Sequence, residues 1–151
     1  MNLARLLFLS FLTFAAVTCN AADGDCALQK PITSADATPT QLQSFFGQIV
    51  SLCKNNQEEA YFSLLTSSVR NKMPSEMKKA AFAQYCKFIL EAHRSIGDRP
   101  ENGVHSIQSA EGRRNQCGHP YSYWYIHTKS GGVVFRLKLA MENGQIKIND
   151  H

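Results

Sequence analysis

The run YSYWYIHTKSGGVVFRLKLAMENGQIKIN, Tyr121 to Asn149, decides the fold class. It is rich in aromatic and β-branched residues, and its apolar side chains recur at every second position, the period of a half-buried strand. Gly131-Gly132 and Asn143-Gly144 are turn formers that divide it into strands over Tyr121–Thr128, Val133–Met141 and Gln145–Asn149, an antiparallel meander. In the middle strand Val133, Phe135, Leu137, Leu139 and Met141 share one face and Arg136 and Lys138 the other, which predicts one buried and one wetter surface. In the strand before it, Trp124 and Ile126 fall on a core face. Tyr121, Tyr123, Tyr125 and His127 fall on the opposite one.

Working back toward the N-terminus, Val104–Ala110 supplies a first strand, and Glu111 to Pro120 reads as a long polar loop holding Arg113, Arg114, Cys117 and His119. Before Val104 the period is helical. Thr38-Pro39-Thr40-Gln41 combines an N-cap hydroxyl, Pro at the first helical position and Gln three residues after the cap. The helix it starts carries Leu42, Phe45, Phe46, Ile49, Leu52 and Cys53 on one stripe and ends at Asn55-Asn56. Asn56 with Glu59 then caps a second helix bearing Ala60, Tyr61, Leu64, Leu65 and Val69, and Pro74 separates it from a third. This third helix runs from Ser75 to Ile96-Gly97 and is apolar on more than one face. Helices gathered before an antiparallel sheet predict an α+β fold, three N-terminal helices packed on a curved sheet of about four strands.

Composition agrees with a packed chain: 151 residues, 44% apolar and 19% charged, with a formal charge of +4 that is too mild to imply nucleic acid as a partner. Residues 1–22 read as a signal peptide, with Arg5 as the positive end and Leu6 to Val17 as the apolar stretch, so the mature chain is expected to be exported, periplasmic if bacterial and otherwise secreted. The apolar run is too short for an integral membrane span, and lipidation of Cys19 is the alternative. Residues 23–37 lack periodicity and form an extended arm, leaving residues 38–151 as the α+β domain. Export leaves Cys26, Cys53, Cys86 and Cys117, an even number without CxxC, which predicts two disulfides. Cys53 and Cys86 both lie on helices that can pack side by side, so they are expected to pair, and Cys26 would then clip the arm to Cys117.

The element order from Thr38 to His151 resembles the NTF2-like (cystatin-like) superfamily. The likeness rests on Tyr61-Phe62-Ser63-Leu64-Leu65-Thr66 before the long helix and on the final hairpin Glu142-Asn143-Gly144-Gln145-Ile146-Lys147-Ile148. It implies a bent sheet wrapped round a helix to leave a cone-shaped pocket. The superfamily holds enzymes, ligand binders and assembly domains, so the likeness leaves activity open. Its pocket enzymes use a buried Asp or Glu, or an Asp with a His, whereas these strands carry almost no acid beyond Glu142 and Asp150 at strand ends. His127, with Tyr121, Tyr123 and Tyr125, is the candidate wall of a site. A ribonuclease-like combination of His105, His119 and His127 with Arg113 or Arg114 lacks any group to orient the rings. There is no metal-ligand spacing, GxSxG or cofactor fingerprint.

The expectation is therefore a non-enzymatic exported binding domain. It would contact a protein partner, such as a toxin, a hydrolase or an envelope complex, or a small ligand, through Tyr121, Tyr123, Tyr125, His127, Arg113, Arg114 and His119. The rival is a pocket enzyme or small-ligand binder of the NTF2-like superfamily that uses His127 and neighbouring tyrosines. A homodimer through the sheet face is a further expectation.

Overall fold

A computed structural model describes residues 26–115 and 117–150. The signal-peptide reading, Cys19 and the first residues of the arm lie outside the described residues. The rest of the arm carries a two-residue strand, β1 (Gln29–Lys30). Four helices follow: α1 (Pro39–Lys54), α2 (Glu58–Phe62), α3 (Ser67–Arg70) and α4 (Ser75–Ser95). A short 3-10 turn (Pro100–Asn102) leads into β2 (Val104–Arg114), β3 (Pro120–His127), β4 (Val133–Glu142) and β5 (Gln145–Ile148). The antiparallel sheet runs β1-β4-β3-β2, with β5 also paired to β4, and it curls strongly into a half-barrel. The α+β class holds. The sheet has five strands because the arm contributes one.

The start of α1 forms as its sequence demands. The Thr38 hydroxyl accepts from the Gln41 amide, and the Gln41 side chain accepts from the Thr38 amide. Its apolar stripe fills the concave side of the sheet. The Phe46 ring meets Trp124, Phe135 and His105 of the sheet at centroid distances of 5.9, 5.9 and 6.1 Å, and His93 of α4 at 6.2 Å. Phe46 and Trp124 are fully buried, and such a pair contributes about 0.5–1.5 kcal/mol beyond its buried area. Both expected disulfides are present, Cys53–Cys86 joining α1 to α4 and Cys26–Cys117 joining the arm to the β2–β3 loop. No helix among the described residues is long and apolar enough to cross a membrane.

Four expectations are corrected. The second helix is two short ones, because Leu64 to Thr66 leaves the helix to hydrogen-bond the last strand: the Thr66 amide donates to the Ile148 carbonyl and the Ile148 amide to the Leu64 carbonyl. Asn56 takes a left-handed backbone (φ 53°) instead of capping, and Gln57 stands at the helix start. Glu111 to Arg114 belongs to β2 rather than to a loop, with the register shifting between Ala110 and Arg114 at Gly112, whose φ of 81° suits a residue without Cβ. Val133 leaves the buried set for a similar reason: a register shift between Ile126 and His127 turns it outward, 56% exposed.

Candidate functional site

The pleat of β3 sends Trp124 and Ile126 inward, both fully buried, and Tyr121, Tyr123, Tyr125 and His127 to the outer surface. The four outer rings form a ladder with centroid separations of 6.2, 6.1 and 6.0 Å. Register brings neighbours from both sides. Gln108 of β2 and Lys138 of β4 lie opposite Tyr123, and Ser106 and Arg136 lie opposite Tyr125. Long cations then reach diagonally along the sheet, Arg136 over the Tyr123 ring at 5.1 Å and Lys138 over Tyr121 at 4.8 Å. The packing leaves Tyr123 only 9% exposed, so the ladder is a fixed wall rather than a set of free side chains.

Lys138 is further held by Asp150 at 2.9 Å. Partial burial works to lower its pKa, but the Asp150 hydrogen bond, the Asp150 charge and the phenols of Tyr121 and Tyr123 together raise it, so it stays charged. Arg136 and Arg113 are exposed. With Tyr123, Tyr125, Gln108 and Glu111 they line a groove of about 300 Å³ on the outer face, open along β2. Two guanidiniums against one carboxylate, beside phenol hydroxyls and an amide, make a surface suited to accept carboxylates and carbonyl oxygens. No imidazole or thiol lines it.

Compared with known proteins, the chain matches no family model, no curated protein and no solved structure. The geometry of the site is therefore the ground for any reading of it.

The expected residues divide. Tyr123, Tyr125 and Arg113 converge on the groove, whereas Tyr121 and His127 extend the ladder at its two ends. Arg114 turns away and donates to the Gly118 carbonyl at 2.7 Å, closing the β2–β3 loop. His119 is half-buried in that loop, where Asn115 exchanges main-chain and side-chain bonds with it, and it does not line the groove. The three histidines of the ribonuclease-like combination are not brought together. His105 is buried on the inner face against Trp124, while His127 lies on the outer face with Nδ1 3.5 Å from the Gly131 carbonyl. Among the described residues no three His, Cys, Asp or Glu side chains gather as a metal site requires.

Gln108, Glu111 and Arg136 were not among the expected site residues. Alternation along β4 already put Arg136 on the outer face, but its placement over Tyr123 depends on cross-strand register. Gln108 carries no sequence signal that would single it out.

Proposed function

We propose that this chain is an exported, non-enzymatic binding domain that holds a protein partner on the outer face of its sheet. The observation that carries the reading is the Tyr123–Tyr125–Arg136–Arg113 groove, a rigid aromatic wall with guanidiniums on the side away from the helices. Tyr and Arg are enriched among the residues that dominate the energetics of protein interfaces, because each supplies large contact area and directed hydrogen bonds. The filled interior supports the same choice. Phe45 and Phe46 occupy the concave side against Trp124, and His127 lies on the opposite side of the sheet from that core. Two disulfides fit an oxidising compartment, which supports export. On this reading the domain is an NTF2-like form whose cone is occupied by its own first helix.

The test is capture of the partner from the native exported fraction by the chain beginning at Asp23. Arg113→Ala, Arg136→Ala and Tyr125→Ala are each expected to weaken capture by about 2 kcal/mol, roughly thirtyfold, with the far-ultraviolet spectrum unchanged. Arg114→Ala, which loses only a loop bond, is expected to bind normally. Full capture by the Arg136→Ala and Tyr125→Ala chains would remove the outer face from the account.

A further inference from the structure

β2 is the terminal strand of the sheet. From Val104, opposite His127, to Ala110, opposite Tyr121, it pairs with β3 without a break, and the bulge comes only after Ala110. Edge strands are usually blunted by Pro, by charge, by a bulge or by a covering segment, because a bare row of amides and carbonyls is a template for another chain. The stretch Val104-His105-Ser106-Ile107-Gln108-Ser109-Ala110 has no Pro and no Lys, Arg, Asp or Glu, and its one titratable side chain, His105, is turned inward at 5% exposed. Among the described residues, none from His105 to Arg113 makes a main-chain bond outside the sheet pairing. The groove that holds Arg113 and Arg136 lies along this same edge.

We infer that an extended acidic peptide segment adds to β2 as a further strand, its carboxylates received by Arg113 and Arg136. This rests on the reading of the outer face as the partner surface and names what the partner presents there. An added strand satisfies the free edge through main-chain bonds, while its alternate side chains project over the outer face. There they meet Gln108, the Tyr125 phenol and two guanidiniums, with Glu111 as the one opposing charge, beside the bulge. A segment with acidic residues at alternate positions matches both the edge and the charge. A second copy of this chain matches the charge less well, since paired edges centred on Ile107 would set Ser106 against Gln108, both neutral, and β2 carries Glu111 as its one acid.

The experiment is amide exchange followed by nuclear magnetic resonance on the ¹⁵N-labelled, oxidised chain, with a short capped peptide of alternating Thr and Glu as probe and its Thr and Lys counterpart as control. The Glu peptide is expected to slow exchange about tenfold or more at alternate amides between Val104 and Ala110. The Lys peptide and the Arg113→Glu, Arg136→Glu double variant are expected to show no slowing. Response at Tyr125 and Arg136 without slowing along β2 overturns strand addition and leaves the partner face standing. No response to the Glu peptide overturns the acidic class. Slowing along β2 that grows with protein concentration and needs no peptide assigns the edge to a second copy and overturns the inference. Partner capture by the alanine variants above is a separate readout, so failure of the strand and failure of the surface are distinguishable.

Discussion

At the scale of single residues, His105 shows how a buried polar pair is fixed by what each atom can do. The Trp124 indole N–H only donates, and it donates to His105 Nδ1 at 3.1 Å, so that nitrogen is the acceptor. The ring proton is therefore on Nε2, which donates to the Pro100 carbonyl at 3.2 Å. Burial lowers the His105 pKa below its ordinary 6.5, with the Pro100 bond a partial offset, and protonation at Nδ1 would set a proton against the indole N–H. With the folded pKa below the unfolded one, the unfolded chain binds more protons between the two values. His105 thus contributes full stability above pH 6.5, and that contribution is lost as pH falls through the folded value. Urea unfolding across this range is expected to show the decline. His105→Phe should remove this component, while costing about 1–3 kcal/mol at neutral pH by orphaning the indole N–H. Gly103 gives a second residue-scale expectation, because a Cβ there would lie 2.7 Å from Ile126 Cγ2 in the core. Gly103→Ala is expected to destabilise by about 1–3 kcal/mol in the same measurement.

At the scale of elements, local signals succeeded where the chain's own neighbours decide and failed where a distant strand competes. The Thr38 capping box is closed by atoms three residues apart, and α1 begins where its sequence says. The region from Leu64 to Thr66 has a helical apolar pattern too, but the main chain of Ile148 takes its hydrogen bonds, and the helix breaks. The start of α3 is held from afar as well. The buried Glu142 carboxylate accepts from the Ser67 hydroxyl at 2.6 Å, the Ser67 main-chain amide at 3.0 Å and the Gln29 side-chain Nε2 at 3.4 Å, tying helix, sheet and arm together. Glu142→Ala would leave the part-buried Ser67 hydroxyl and amide unmatched, while Gln29 keeps its bond to Ser68, at about 1–3 kcal/mol. Amide exchange is expected to quicken first at Ser67 to Arg70 and at β1, ahead of α1. Equal quickening throughout would show that the carboxylate acts only on global stability.

At the scale of the whole molecule, the two disulfides close loops of very different length. Cys26–Cys117 spans a separation of 91 residues and Cys53–Cys86 one of 33. In the chain-entropy account removing the first costs about 4–5 kcal/mol and the second about 3–4 kcal/mol. A Cys26→Ser, Cys117→Ser chain is expected to lose more than a Cys53→Ser, Cys86→Ser chain in denaturant midpoint. It should also free β1 and loosen the loop after Arg114. A reversed order would show that side-by-side packing of α1 and α4 outweighs loop closure.

Legible in the amino-acid order alone were the α+β class, the meander with its two turns, the capped first helix, two disulfides with the favoured one of three pairings, and the separation of the Tyr121–His127 face from Trp124 and Ile126. Each of these depends on periodicity, on turn and cap chemistry or on simple pairing, which are properties of neighbouring residues or of composition. It took the folded arrangement to show that Arg136 covers Tyr123, that Gln108 and Arg113 join Tyr125 in one groove, that Arg114 closes a loop and that His105 sits apart from His127. Those facts depend on cross-strand register and on two bulges, and a one-residue change of register exchanges the faces of a strand while leaving its own pattern unchanged.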